Sequence, residues 1–252
     1  MFFIRTLREL RRRDFATATV FLERREQSPD RLVQRMKKYK VDTLLWYLPG
    51  VAANDLALRF SDAGIRVLGV GDGSLSSIPC HYEVRREAAI TAILRDWQSN
   101  NGIKSVTIVR GKTSAAYEER LEAILDKENL TYEVATLGNQ QIGRFLDSLG
   151  EEKKRGIVFL SSAAAMFSFR SPENLAKLLS SSRVAFVGGP VSIPFAKAPD
   201  AKVDLVVVDW QLVAERIVND LVTKEAFETK DTIVFEADHH LQVPLNQYAQ
   251  SL

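Results

Sequence analysis

The sequence is poor in the residues on which several classes of protein depend. Of its 252 residues one is a cysteine, Cys80, and three are histidines. A single cysteine excludes an intramolecular disulfide framework and a zinc site built from cysteines. No apolar run approaches the ~20 residues that span a bilayer, and the apolar stretch at the N-terminus is too short for a signal peptide. We therefore expect a soluble cytoplasmic protein that carries no metal ion or cofactor and does not contact a membrane.

An excess of charge of one sign is also missing from the chain as a whole, which has 34 basic and 32 acidic side chains. Residues 1–40 differ, because they contain twelve Lys or Arg and five Asp or Glu. Such a basic segment suggests an anionic neighbour, for example nucleic acid. The alternative is a solvated helix face without a partner.

No catalytic centre is visible in the sequence. The stretch RGKTS at 110–114 follows a predicted strand, as a phosphate-binding loop does, but Val106 stands where that loop needs its first glycine. His239 and His240 are adjacent, so on an extended segment they point to opposite faces and do not favour a shared metal ion. We expect a binding protein and not an enzyme.

Amphipathic helical stretches alternate with short β-branched runs along the chain. This alternation predicts parallel sheets covered by helices. A loop rich in glycine and serine, GDGSLSSIP at 71–79, separates two successive series of this kind. The sequence therefore predicts an α/β fold of two doubly wound parallel-sheet lobes. Strands are predicted at 15–22, 41–47, 66–70, 104–110, 131–136, 156–160, 183–187, 203–208 and 232–236.

A late segment of the chain is predicted to return to the first lobe, so that three chain crossings form the hinge between the lobes. The N-terminal lobe is predicted to comprise 1–80 and 203–225, the C-terminal lobe 81–202 and 226–240, and 241–252 a tail. The first series begins with a helix and lacks a leading strand. We expect a truncation that removes an interior strand, because an empty interior position leaves backbone groups unpaired.

Side chains near strand ends are the first candidates for ligand contacts, because open α/β sheets bind ligands beyond the carboxyl ends of their strands. Trp46 closes one predicted strand and Asp72 follows another. Tyr82 follows the glycine-rich loop, and Tyr117 lies in the first turns of a predicted helix. Aromatic rings at such positions can stack on flat or sugar-like ligands. For Trp46 and Tyr82, packing in the core or at a lobe interface is an equally good interpretation.

Four stretches within residues 2–240 share their order and spacing with a known family. They are VDTLLWYLPG followed by AGIRVLGVGD, then IKSVTIVRGKTSAAYEERLEAILDKENL, RVAFVGGPVSIPFAKAP and VDLVVVDWQLVAERIVNDLV. They resemble strand and helix motifs of the effector-binding core of the lactose/galactose repressor (LacI/GalR) family. The resemblance implies the periplasmic-binding-protein-like type I fold for the two lobes.

The resemblance also implies a biological role, that of a dimeric transcription regulator. In that family an N-terminal helix-turn-helix domain reads DNA, and a small effector binds in the cleft. We therefore expect a homodimer that binds a small-molecule effector of unknown identity, and that binds DNA only through a domain missing from this chain. The alternative, from another class, is a periplasmic-type small-molecule binding protein for transport or chemotaxis.

The polar groups with which the family grips sugars are largely replaced in this sequence. The position of its sugar-binding arginine falls on Tyr117, with Arg120 one helical turn away. Its Asn-Asp pair falls on Ser162 and Ala163, and its acidic pair begins at Pro190. We expect a ligand with fewer hydroxyls or more aromatic character than a sugar, or a loss of small-molecule sensing. The candidate ligand-binding residues are Trp46, Asp72, Tyr82, Tyr117, Arg120, Ser161, Ser162 and Pro190.

Overall fold

The chain folds into two compact units, and it passes between them three times. Unit 1 comprises Met1–Arg85 and Asp209–Phe235, and unit 2 comprises Arg86–Val208 and Glu236–Leu252. In a computed structural model, the residues described are 2–17, 29–47, 53–71, 80–110, 115–136, 155–160, 178–179, 182–187, 202–223 and 232–244. Among them, no helix combines the length and the apolar character needed to cross a membrane.

Helices and strands alternate through most of the described chain, as the sequence predicts for an α/β protein. The described elements, numbered in chain order, are α1 (Phe2–Arg12), α2 (Pro29–Lys38), β1 (Thr43–Tyr47), α3 (Ala53–Asp62), β2 (Arg66–Gly71), β3 (Cys80–Arg85), α4 (Glu87–Asn101), β4 (Ser105–Arg110), α5 (Ala115–Lys127), β5 (Thr131–Thr136), β6 (Arg155–Phe159), β7 (Ser182–Val187), β8 (Lys202–Val207), α6 (Trp210–Thr223), β9 (Thr232–Glu236) and β10 (Asp238–Pro244).

Unit 1 is built on a four-stranded sheet with the order β1-β2-β3-β9. β1 pairs with β2, and β2 with β3, in parallel. Every residue of β2 after Arg66 is buried, which is typical of a parallel strand covered by helices on both faces. α2 and α3 cover one part of the sheet through a core that includes Leu32, Met36 and Phe60, whereas α1 packs against α6.

Unit 2 is built on a six-stranded sheet with the order β10-β8-β7-β6-β4-β5. All neighbouring pairs from β8 to β5 are parallel, and β10 runs antiparallel to β8 along the edge. α4 ends at Gly102, whose φ of 64° is the left-handed conformation that closes a helix at low cost. The Gly102 N–H donates to the carbonyl of Gln98. The chain then enters β4, whose central residues are fully buried.

A buried carboxylate, Asp204, joins three separate parts of unit 2. It lies in β8, with no exposed side-chain surface. The indole N–H of Trp97 donates to Asp204 Oδ2 at 2.6 Å, and the Arg183 guanidinium donates to both carboxylate oxygens at 2.9–3.2 Å. The backbone N–H of Gln242 donates to Oδ1 at 2.7 Å. Asp204 therefore links α4, β7 and the bulged strand β10 to the sheet.

Several segments differ in place or type from the sequence prediction. β8 pairs with β7 and β10 in unit 2, whereas 203–208 was predicted for the first lobe. β9 and the segment 81–85 belong to unit 1, whereas they were predicted for the second lobe. Residues 241–244, predicted as tail, belong to β10.

Two strands escaped the prediction because they lack an apolar run. β3, with the sequence CHYEVR, alternates polar and apolar residues, and β10, with DHHLQVP, begins with three polar residues. The predicted strand at 15–22 lies mostly outside the described residues, and its described part, 15–17, is not a strand.

Candidate ligand-binding site

The sheet of unit 2 has a point at which successive connections leave in opposite directions. From β4 the chain goes by way of α5 to β5 on one side, and β6 lies on the other side. At the carboxyl end of this pair, the N–H of Leu160 donates to the carbonyl of Val109 at 2.9 Å. In open α/β sheets, ligands bind beyond the carboxyl ends of the strands at such a point. Arg110 and Leu160, at which the described parts of these two segments end, therefore lie at the position expected for a ligand site.

Charged side chains gather at this carboxyl edge of unit 2. Arg110 ends β4 and is half-buried. Arg86, immediately before α4, is only 5% exposed. Arg120 lies in the second turn of α5 and donates to Glu87, the first residue of α4, at 3.0 Å. Because α4 and α5 both begin at this edge, the partial positive charge of two helix N-termini adds to that of the arginines. The site favours anionic over cationic groups.

The Glu87 carboxylate accepts two hydrogen bonds at the start of α4. Its Oε2 accepts a hydrogen bond from the backbone N–H of Arg86 at 2.9 Å, while its Oε1 accepts from Arg120. Both partners of the ion pair have about a third of their side-chain surface exposed. This pair therefore connects the first turns of α4 and α5 within unit 2.

A groove of about 690 Å³ runs between α4 and α5. Its lining is mainly small or apolar, including Ala92, Ala123 and Ile124. At its far end Arg95 donates to both carboxylate oxygens of Glu128 at 2.9 Å. The hydrogen bond from Arg95 lowers the pKa of Glu128, with a smaller contribution from the positive charges nearby. The Glu87 and Arg120 side chains also line this groove, so one end of it is continuous with the charged groups at the starts of α4 and α5.

In unit 1 the two aromatic candidates are packed into the core. The ring of Trp46 meets that of Phe60 edge-on, with 6.2 Å between centroids, as part of the core under α2 and α3. Tyr82 is fully buried, and its hydroxyl donates to Asp220 Oδ2 at 3.0 Å. Asp220 also accepts from Arg216 one helical turn away. Both aromatic side chains thus follow the packing interpretation.

The fold of the two units agrees with that of proteins whose structures are known. A LacI family transcriptional regulator from Arthrobacter sp. FB24, solved with lactose, superposes with a TM-score of 0.75 at 10% identity over 96% of this chain and 91% of its own. The Cra transcriptional dual regulator from Pseudomonas putida, solved with fructose 1-phosphate, gives 0.71 at 13% identity over 96% and 94%. An ABC transporter solute binding protein from Agrobacterium vitis, with bound allitol, gives 0.72 at 15% identity over 100% and 93%.

The chain has the periplasmic-binding-protein-like type I fold. This fold and its three chain crossings were predicted from the resemblance to the LacI/GalR family, and the structure confirms them. Regulators and solute-binding proteins share the fold at similar TM-scores, so the likeness does not separate the two roles. No protein-family model and no curated protein sequence matches the chain.

The structure describes only some of the remaining candidate residues. Asp72, Ser161, Ser162 and Pro190 lie outside the described residues. Tyr117 is the third residue of α5. Arg120 is at the sheet edge, paired with Glu87. Arg86 and Arg110 were not predicted as ligand residues, although an arginine that ends the apolar run SVTIV is a visible signal.

Proposed function

We propose that this chain is the ligand-sensing and dimerising core of a LacI-like transcription regulator that acts in the cytoplasm and binds DNA through a further domain. The observation that carries the proposal is the type I fold over 96% of the chain, shared with regulators whose structures contain lactose or fructose 1-phosphate. The basic character of residues 1–40 supports a role next to nucleic acid. Its role is binding and not catalysis.

We propose further that the effector carries an anionic group, such as a phosphate or a carboxylate. Arg86, Arg110 and Arg120 stand at the carboxyl edge of unit 2, together with the N-termini of α4 and α5. Guanidinium groups bind phosphate and carboxylate in bidentate fashion, and helix N-termini add to the attraction. The polar groups that bind sugar hydroxyls in the LacI/GalR family are mostly replaced in this sequence. In this proposal, contacts between the arginines and an anionic group of the effector replace those hydroxyl contacts.

A thermal-shift screen tests the effector class. Sugar phosphates and small organic acids are compared with neutral hexoses, disaccharides and polyols on the same protein. A ligand present at a hundred times its Kd stabilises the folded state by about 2.7 kcal/mol, which is about 5–10 °C in Tm for a domain of this size. Stabilisation by a neutral hexose, with no response to any anionic compound, contradicts the anionic assignment.

Replacing Arg110 with alanine is expected to weaken binding of the anionic effector at least tenfold. The reason is that a hydrogen bond between two charged groups contributes about 1.5–3 kcal/mol, and tenfold corresponds to about 1.4 kcal/mol. Isothermal titration of the compound found in the screen measures the change. Lys104→Ala is the matched control, because Lys104 is an exposed cation just before the opposite end of the same strand. Equal losses in both variants place the ligand elsewhere.

We propose that the chain forms a homodimer, with α3 in the interface. Leu58, on the outer side of α3, is 47% exposed, so its apolar side chain is available to a second copy of the chain. Analytical ultracentrifugation is expected to show a dimer at micromolar concentration, and Leu58→Glu is expected to shift the species toward monomer. The control is Leu212→Glu, because Leu212 is similarly exposed on α6. A wild-type chain that remains monomeric at high concentration contradicts the proposal.

The second candidate is a solute-binding protein for a transporter. The Agrobacterium vitis solute binding protein aligns over the whole of this chain with a TM-score of 0.72, so this role has structural support of its own. Cell fractionation of the native organism separates the candidates. Recovery of the protein with the periplasmic fraction favours transport, and recovery with the cytoplasmic, DNA-associated fraction favours regulation.

A further inference from the structure

One edge of unit 1 collects the ends of helices and the starts of strands. α2 ends at Lys38, and after a turn in which Lys40 has a φ of 53° the chain enters β1 at Thr43. α3 ends in the same way before β2, which begins at Arg66 and runs parallel to β1. The N–H of Arg66 donates to the carbonyl of Asp42 at 2.8 Å. The last turn of α2 therefore lies at the amino edge of this sheet, beside the start of β2.

Cations outnumber carboxylates along this edge. We define the basic edge as the exposed residues Lys37, Lys38, Lys40 and Arg66. Among the described residues of the segments 37–42 and 62–66, the carboxylates are those of Asp42 and Asp62. The helix C-termini explain only part of this excess, because each one carries about half a negative charge, whereas the last turn of α2 alone contains Arg35, Lys37 and Lys38. A net positive surface remains after the helix ends are compensated.

An aromatic ring stands in the middle of the cations. Tyr39 lies between Lys38 and Lys40 and is 59% exposed. The Arg35 guanidinium lies over its ring, 5.9 Å from the centroid. Exposed rings among cations are the arrangement by which proteins hold a single strand of nucleic acid, because the cations follow the phosphates and an unpaired base stacks on the ring. An anionic membrane surface fits less well, since it needs apolar side chains that insert among the lipids.

We infer that the basic edge of unit 1 binds a single strand of nucleic acid, with its phosphates on the cations and a base stacked on Tyr39. The inference does not rest on the proposed effector, nor on a separate DNA-reading domain. It assigns nucleic-acid binding to this chain itself.

The direct test measures the fluorescence anisotropy of a labelled oligothymidylate of about twenty nucleotides as the full chain is added at low salt. We expect binding that weakens steeply as salt rises, because counterions are released from the phosphates. The triple variant Lys37→Glu, Lys38→Glu, Lys40→Glu is expected to bind at least tenfold more weakly. The matched control is Lys104→Glu, Lys127→Glu, Lys202→Glu, which makes the same change of net charge at exposed positions of unit 2 and is expected to stay within about threefold of wild type.

Tyr39→Ala tests the stacking contact by itself. Loss of one base–ring contact is expected to weaken binding of the oligonucleotide about five- to a hundredfold, and Tyr39→Phe is expected to restore it. Circular dichroism confirms that the variants are folded. The inference is overturned by equal weakening in both triple variants, by an unchanged affinity of Tyr39→Ala, by tighter binding of a duplex of the same length, or by binding to vesicles with anionic lipids but not to the oligonucleotide.

Discussion

Replacing Asp204 with alanine is expected to lower the free energy of unfolding of unit 2 by about 3–5 kcal/mol. The carboxylate is fully buried and accepts from Trp97, Arg183 and Gln242. Removing one member of a buried charge pair costs this much because the donors that remain lose their acceptor. The Trp97 indole N–H stays buried without one, whereas the Arg183 guanidinium keeps Asp96 and Asn101 as partners. Urea unfolding followed by tryptophan fluorescence measures the change.

Two further substitutions show that this effect belongs to the buried contacts of Asp204. Asp238→Ala removes an exposed carboxylate from β10 and is expected to change the free energy by less than about 0.5 kcal/mol. Asp204→Asn keeps the shape of the side chain and one accepting oxygen. Its loss of unfolding free energy is therefore expected to lie between those of Asp204→Ala and Asp238→Ala. A loss below about 1 kcal/mol for Asp204→Ala means that the network contributes little to stability.

Replacing Gly156 with alanine is expected to destabilise unit 2 by about 3 kcal/mol. A Cβ at this position lies 2.4 Å from Cζ3 of Trp97 and 2.5 Å from Cε3, far inside van der Waals contact. The indole is fully buried and held by its 2.6 Å hydrogen bond to Asp204, so it has little room to move. The expected cost combines overpacking of 1–3 kcal/mol with weakening of that hydrogen bond. Chemical unfolding of the variant measures it.

A double-mutant cycle identifies the ring as the cause. In a Trp97→Leu background the obstacle is gone, so Gly156→Ala is expected to cost less than about 1 kcal/mol there. Gly102→Ala is the control, because no described atom lies within 4 Å of its Cβ position and its φ is 64°. Its expected cost of about 1–2 kcal/mol is backbone strain and does not depend on Trp97. Additive effects of Gly156→Ala and Trp97→Leu contradict the explanation.

The sequence predicted the interior strands well because burial on both faces requires continuous apolar runs. The segments 104–110, 156–160 and 183–187 were predicted within a residue or so of β4, β6 and β7. The prediction missed β3 because Glu83 interrupts its apolar residues. The Glu83 carboxylate is buried and accepts a hydrogen bond from the Arg85 guanidinium at 3.0 Å. A local pattern does not reveal such a pairing between neighbouring charged residues.

The choice of sheet for each strand was not predictable from local sequence. The run VDLVVV at 203–208 reads as a buried strand in either unit, since an apolar run specifies burial and not a partner. Its position in unit 2 depends on contacts of Asp204 with Trp97 and Arg183, which lie 107 and 21 residues away in sequence. The sequence shows a charged residue, Asp204, inside this apolar run, but it does not show which residues pair with it.

Candidate ligand residues were predicted at strand ends, and the structure places some of them in the core. A strand alternates its side chains between two faces, so a residue near its end can face either side. Trp46, one residue before the end of β1, faces the core with Phe60, and Tyr82 faces Asp220. Arg110, the last residue of β4, is one of the charged side chains at the carboxyl edge of the sheet of unit 2.

The two late crossings of the chain have a consequence for biosynthesis. A nascent chain leaves the ribosome from its N-terminus, and domains generally fold as units when all their segments are available. The four-stranded sheet needs β9, and the six-stranded sheet needs β10, the last described strand. Neither half of the protein can therefore mature ahead of the other during translation. Both acquire their outermost strand within the same short stretch of synthesis.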